Sequence, residues 1–205
     1  MSGRLIAFEG GEGTGKTTQA RLLAERLRSA GHEVVLTREP GGTPEAEAIR
    51  GLLLGGSWTP VTEALLVNAA RAEHVERLIR PAIERGAWVV VDRYVDSTLA
   101  YQGAGRGLPT ERLRLLHEIA TGGLWPDRVI LLDLPTDAAL ARAKGRGDAN
   151  RFEDEADSFH VRVRRGFSAL AEAAPDRYAL IESGGSVEDT AERVWASLAD
   201  LLSQS

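Results

Sequence analysis

The chain has 205 residues, a formal net charge of −5, an apolar share of 43% and no cysteine. That length supports one hydrophobic core, the acidic balance argues against a general nucleic-acid binder, and the absence of thiols excludes disulfides and cysteine metal sites. The first apolar run, Leu5 to Phe8, is far too short for a signal or membrane segment, so a cytoplasmic protein without a membrane span is expected.

Residues 1–205 contain no repeat, low-complexity tract or polar linker and read as a single domain. Arg4 to Glu9 reads as a short buried strand that runs into glycines. Gly15 to Ala30 reads as a helix with Leu22, Leu23 and Leu27 on one face and Gly31 as its stop. Glu33 to Thr37 is a second strand. Pro44 to Leu54 is a short helix opened by Thr43 as N-cap. Thr62 to Arg85 is a long helix in which Pro81 kinks the chain or starts a new segment. Ala87 to Asp92 is a third strand, with a helical stretch around Asp96 to Gln102. Thr110 to Ala120 is helical, Arg128 to Asp133 a fourth strand, and Pro135 to Lys144 a helix. A charged loop, Gly145 to Asn150, leads to a helix over Glu153 to Ala174. Arg177 to Glu182 is a fifth strand, and Val187 to Leu202 a final helix. Short apolar strands alternating with helices predict an α/β fold: a five-stranded parallel sheet covered by helices on both faces. Such sheets bind ligands beyond the carboxyl ends of their strands.

The first such end carries Gly10-Gly11-Glu12-Gly13-Thr14-Gly15-Lys16-Thr17, which matches G-x-x-x-x-G-K-[ST] between a strand and a helix. Glycines let the backbone approach a ligand closely. Successive N–H groups then form an anion nest, and the helix N-terminus adds partial positive charge. Lys16 would reach the β- and γ-phosphates of a nucleotide, and the Thr17 hydroxyl would ligate Mg²⁺. Among 25 basic residues only Lys16 and Lys144 are lysines, which fits a need for a compact ammonium at position 16. The motif predicts a P-loop NTPase three-layer fold and nucleotide binding. It leaves the reaction open.

The rest of the chain narrows the class. Neither lysine follows an asparagine, so the Asn-Lys-x-Asp loop of guanine-specific switches is missing. Arg38 and Arg93 stand just after the second and third strands, where they suit a second phosphate site facing the loop. The plainer alternative for each is a surface ion pair, with Glu39 or Asp92. A phosphate acceptor also explains why no base constellation is visible. A phosphomonoester oxygen is already largely ionised near neutral pH, its second pKa being about 6, so positioning and charge neutralisation suffice. His32, His74, His117 and His160 lie scattered and read as surface or packing residues.

On these motifs the chain resembles the thymidylate kinase family over most of its length. Phe8-Glu9-Gly10 through Thr17-Thr18-Gln19 resembles that family's P-loop, and Thr37-Arg38-Glu39-Pro40-Gly41-Gly42-Thr43 its bacterial second motif. Asp92-Arg93-Tyr94, Ser97-Thr98 and Ala100-Tyr101-Gln102-Gly103 resemble its monophosphate-binding segment. The resemblance implies transfer of the γ-phosphate of ATP to dTMP, giving dTDP and ADP on the route to dTTP, with Mg²⁺ held at Thr17 and Asp92. Gly10 to Thr18 and Arg142 would hold ATP. Glu12 would contact the sugar 3′-hydroxyl of dTMP, and Arg38 and Arg93 its phosphate. Arg71 would hydrogen-bond a thymine carbonyl and Thr98 would approach the base edge. Tyr101 would crowd the 2′ position, and Ser97 and Gln102 would line the same pocket. Val67 stands where the family usually has an aromatic residue. The resemblance also implies a homodimer.

Some family members carry a basic residue at the position of Gly13, so a catalytic cation must come from elsewhere here. The stretch from about 142 to 154, with Arg142, Lys144, Arg146 and Arg151, resembles a lid that would close over ATP, with Arg146 and Arg151 acting on the transferring group. Two other functions fit the P-loop: a kinase of another nucleoside monophosphate, and a nucleotide-dependent switch that controls a partner.

Overall fold

The computed structural model describes residues 3–144, 152 and 155–203. Five parallel strands form one sheet: β1 (Arg4–Glu9), β2 (Val34–Arg38), β3 (Trp88–Asp92), β4 (Arg128–Asp133) and β5 (Tyr178–Glu182). Their spatial order is β2-β3-β1-β4-β5. The α/β expectation with helices on both faces therefore holds.

The period-2 pattern of β1 divides the core. Ile6 and Phe8 pack with Leu23 and Leu27 of α1 (Lys16–Ser29) and Leu198 on one face. Leu5 and Ala7 pack with Val75, Ile79 and Leu113 on the other. Alternate side chains of a strand point to opposite faces, so Leu5 to Phe8 are apolar at every position because both faces of the strand are covered. A third cluster joins Val129 and Leu131 of β4 to Tyr101, Phe159 and Phe167.

The register brings the functional ends of the strands together. Phe8 of β1 and Arg38 of β2 both pair with Asp92 of β3. Residues just beyond these positions share one edge of the sheet, the edge where parallel sheets place their ligands.

Helix α2 (Pro44–Gly55) begins as expected: the Thr43 hydroxyl accepts the Ala46 N–H at 3.2 Å. The long helix starts earlier than expected, at Pro60, because Thr59 caps it. It runs as α3 (Pro60–His74), a π-helical segment over Val75–Ile79, and α4 (Arg80–Glu84). Pro81 thus falls in the first turn after a widened segment, which removes the clash its ring would make inside a regular helix. The stretch expected as helix over Asp96 to Gln102 is α5 (Val95–Thr98) followed by a π-helical segment, Leu99–Gly105. Beyond it lie α6 (Thr110–Thr121) and α7 (Thr136–Lys144). The helix expected from Glu153 begins within the described residues at Asp157, since Ala156 is extended, and forms α8 (Asp157–Ala173). The final helix is broken into α9 (Val187–Ala196) and α10 (Ala199–Leu202). Ser197 turns its hydroxyl back to the Val194 carbonyl at 2.7 Å, a bond that competes with helix continuation. Among the described residues no helix is long and apolar enough to cross a membrane.

Candidate active site

The P-loop closes the gap between β1 and α1. Gly10, Gly13 and Gly15 all have positive φ, at 136°, 72° and 93°. At Gly13 the requirement is steric as well, since a Cβ there would lie 1.9 Å from the Ala139 carbonyl oxygen of α7. A basic side chain at position 13 is therefore excluded by the α7 backbone. Lys16 lies across the loop, its Nζ donating to the Gly11 carbonyl at 2.6 Å. The Thr14 hydroxyl also donates to Gly11, at 3.1 Å. Burial and the neighbouring Arg93 push the Lys16 ammonium down to about 8, while Glu12, Asp92 and Glu9 pull it upward. At neutral pH it keeps its charge.

Thr17 donates its hydroxyl to Asp92 Oδ2 at 2.5 Å. The alternative pairing of Asp92 with Arg93 does not form. Arg93 instead donates to Glu12 Oε1 at 2.8 Å and to the Gly10 carbonyl and Ser97 Oγ, both at 3.1 Å. Tyr101 also donates its hydroxyl to Glu12, at 3.0 Å, and its ring stacks under the Arg93 guanidinium at 5.1 Å. Burial alone would raise the Glu12 carboxyl, but Arg93 and Lys16 outweigh it and hold the group at about 2. The same pairing holds the Arg93 guanidinium above its ordinary value in spite of its burial.

Arg93 is the one non-glycine residue with positive φ among the described residues, at 70°. For an L-residue this costs on the order of 1–2 kcal/mol. Glu9 holds the turn in place. Its Oε1 accepts the backbone N–H of Tyr94 at 2.8 Å and of Ser97 at 3.1 Å, and its Oε2 accepts the Ser97 hydroxyl at 2.6 Å. Full burial, and then the nearby Asp96, push the Glu9 carboxyl up to about 8. Sequence reasoning missed this residue, which reads only as the last position of a buried strand.

Arg38 is half exposed and donates from NH2 to both Glu47 oxygens, at 3.1 and 3.0 Å. The alternative partner, Glu39, lies elsewhere: its Oε2 accepts Arg71 Nε at 2.8 Å. Arg71 also donates to Thr98 Oγ1 at 3.0 Å and is 1% exposed. His74 is fully buried against Glu39, and so does not sit at the surface or serve as mere packing. The signal available in the sequence was spacing, because Arg71 and His74 are three apart and share one helix face. Arg50 was missed too. It donates to the Pro40 carbonyl at 2.8 Å and lies near enough to Arg38 and Arg93 for their charges to lower its pKa beyond the effect of burial.

A cavity of about 1020 Å³ opens between these groups. The P-loop side contributes Glu12, Gly13, Gly15, Lys16, Thr17 and Thr18. The opposite side contributes Arg38, Arg71, Asp92, Arg93, Ser97 and Thr98, with Val67, Tyr101 and Gln102 behind them. Gln102 is tied to the buried Glu63 at 3.1 Å. Three loop residues, Gly10, Gly11 and Thr14, are not among those that line it. Arg142 is not brought into the cavity; its guanidinium donates to the Ser183 carbonyl at 3.0 Å. Arg146 and Arg151 lie outside the described residues.

A nest of amides with one ammonium thus faces an arc of guanidinium groups across a single cavity. The arrangement suits two anionic ligands brought end to end. The family model for thymidylate kinase matches residues 8–194. The thymidylate kinase of Thermomicrobium roseum is 54% identical over 199 residues, covering 96% of this chain and 95% of that protein. That of Caulobacter vibrioides is 49% identical over 205 residues, covering 98% and 97%. The crystal structure of thymidylate kinase from Ehrlichia chaffeensis superposes with a TM-score of 0.79 at 32% identity, over 97% of this chain and 99% of that one. By sequence, by fold and by the two-sided cavity, the chain belongs to the thymidylate kinase family.

Proposed function

We propose that this chain transfers the γ-phosphoryl group of ATP to the phosphate of dTMP. The observation that carries the reading is the placement of Lys16 and Arg93 on one cavity, with Glu12 between them. The donor phosphates would lie along the P-loop amides and Lys16. The acceptor phosphate would take the place of Glu12 on Arg93, within reach of Arg38. An acceptor oxygen then bonds to the γ-phosphorus as the bridging bond to the β-phosphate breaks, releasing ADP and dTDP. The acceptor oxygen is already ionised, so no side chain needs to remove a proton.

Thr17 and Asp92 supply hard oxygen ligands 2.5 Å apart at the mouth of the loop. No group of three or more His, Cys, Asp or Glu forms a metal cage among the described residues. That donor set fits Mg²⁺, which keeps several waters and binds through one or two carboxylates and substrate phosphates. When bound it would neutralise charge on the β- and γ-oxygens. Lining the base side, Val67 offers apolar contact, and Thr98 and Arg71 offer polar contact. The lid residues Arg146 and Arg151 would supply further positive charge to the transferring group, a role read from the sequence alone.

Leu65 on α3 and Leu115 and Ile119 on α6 are 50%, 60% and 73% exposed on two packed helices. This apolar face supports the homodimer, and sedimentation of a Leu65→Asp, Ile119→Asp variant as a monomer would bear it out. Turnover of dTMP, dUMP, dCMP and a purine monophosphate with ATP tests the acceptor. Preference for dTMP is expected. Equal or better turnover of another acceptor would move the chain to a different monophosphate, and hydrolysis without acceptor stimulation would make it a switch.

A further inference from the structure

Arg71 is held more completely than binding alone requires. Its Nε–H donates to Glu39 Oε2 at 2.8 Å, and NH1 to Asn68 Oδ1 at 3.3 Å. NH2 donates to the Tyr94 carbonyl at 3.1 Å and to Thr98 Oγ1 at 3.0 Å. These bonds engage the Nε hydrogen, one NH1 hydrogen and both NH2 hydrogens. A single NH1 hydrogen is left without a partner among the described residues, on a side chain that lines the cavity.

The chain of contacts continues behind the guanidinium. The other Glu39 oxygen meets His74 Nδ1 at 3.1 Å, and His74 Nε2 meets Thr37 Oγ1 at 2.8 Å. A ring protonated on Nδ1 satisfies both, donating to the carboxylate and accepting the threonine hydroxyl. The Glu39 and His74 side chains are 2% and 0% exposed. Gly42 closes the far side. A Cβ there would lie 2.3 Å from His74 Nε2 and 2.6 Å from Thr37 Oγ1, at a φ of +94°. Position 42 therefore admits no side chain beside the ring.

We propose that Glu39 and His74 are positioning residues that lock Arg71 so that it presents one N–H donor to the acceptor base, and that this lock sets the preference for a ring carbonyl over a ring amine. The inference rests on the proposed acceptor reading, in which Arg71 faces the base. Its physical basis is the cost of moving the guanidinium. Burial would raise the Glu39 carboxyl, but Arg71 and His74 outweigh it and keep the group below the ordinary range. Rotating Arg71 toward another base edge would strand that buried charge. An amine in place of the carbonyl would set N–H against N–H, and a fixed donor cannot turn away.

The test compares kcat/KM for dTMP and dCMP in the full chain and in His74→Gln, His74→Asn, Glu39→Gln and Thr37→Val. Asparagine places an amide N–H near the position of Nδ1, whereas glutamine reaches toward Nε2 and abandons Glu39. His74→Gln and Glu39→Gln should lower the dTMP-to-dCMP ratio about tenfold. His74→Asn should keep the ratio near the unsubstituted value, and Thr37→Val should lower it less. The ratio cancels the folded fraction, so a variant that only folds poorly loses both rates alike. An unchanged ratio in Glu39→Gln and either His74→Gln or Thr37→Val would overturn the proposal, as would equal losses in His74→Asn and His74→Gln. A full chain without preference between the two acceptors would overturn the underlying reading and this proposal with it.

Discussion

The two sides of the cavity are built in different ways. The donor side is nearly one continuous run, Glu12 to Thr18, in which the positive-φ glycines Gly13 and Gly15 bring the backbone to the cavity. The acceptor side draws Arg38 from the end of β2, Arg71 from α3, and Arg93 from the turn after β3. Each of those cations rests on a carboxylate: Glu47, Glu39 and Glu12 respectively. A backbone nest is formed as soon as the turn folds. A set of distant side chains holds its geometry only if each member has a partner that fixes its rotamer. The acceptor side therefore depends on carboxylates brought in from other elements, the buried Glu39 among them, and the donor side hardly does.

Substitutions can break this contrast from either side. Lys16→Ala should cost the most, a loss of kcat on the order of 10²–10³ with the fold retained, because the one cation of the P-loop is removed. Steady-state kinetics with a far-UV spectrum as control reads this, and near-normal turnover would remove Lys16 from the chemistry. Arg93→Ala should raise KM for the monophosphate and lower kcat, together about 10²-fold in kcat/KM. If both constants stay put, the acceptor phosphate binds elsewhere.

A stability measurement sharpens the donor side. Gly13→Ala pushes a methyl into the α7 backbone and should cost about 1–3 kcal/mol in urea unfolding. Gly11→Ala meets no atom within 4 Å and should leave the unfolding midpoint nearly unchanged. Equal effects at the two positions would contradict the packing of α7 on the loop.

The smallest expected effect concerns Glu9, whose carboxyl is raised to about 8 in the fold from an ordinary 4.5. Between these values the folded state holds a proton that the unfolded chain has released, so this group makes stability fall as pH rises. Below the lower value both states are protonated and the contribution is flat. Glu9→Gln removes the penalty while keeping an acceptor for the Tyr94 and Ser97 amides. Its Tm relative to the unsubstituted chain should climb from pH 5 to pH 8, and a constant difference would refute the shift.

The difference between the two sides also explains what could be read before any coordinates. The P-loop, the five strands and the alternation that makes the sheet parallel are local patterns, fixed by glycine freedom and apolar periodicity within short windows. Arg38, Arg71 and Arg93 were recognisable as candidates, but their partners were not. Glu39 reads as a neighbour of Arg38 along the chain, yet it bonds to Arg71, and Arg38 turns to Glu47 on the next helix. His74 reads as packing and proves to be a link in a buried polar chain.

By itself, then, the order of residues determined the architecture, the nucleotide loop and which cations crowd the strand ends. Only the tertiary structure decided which acid holds which cation, why position 13 admits nothing beyond a hydrogen, and how a left-handed turn at Arg93 is kept. The physical reason is that burial sets the strength of an ion pair and the cost of leaving it unmade, and burial is a property of what packs around a residue, which sequence neighbours do not disclose.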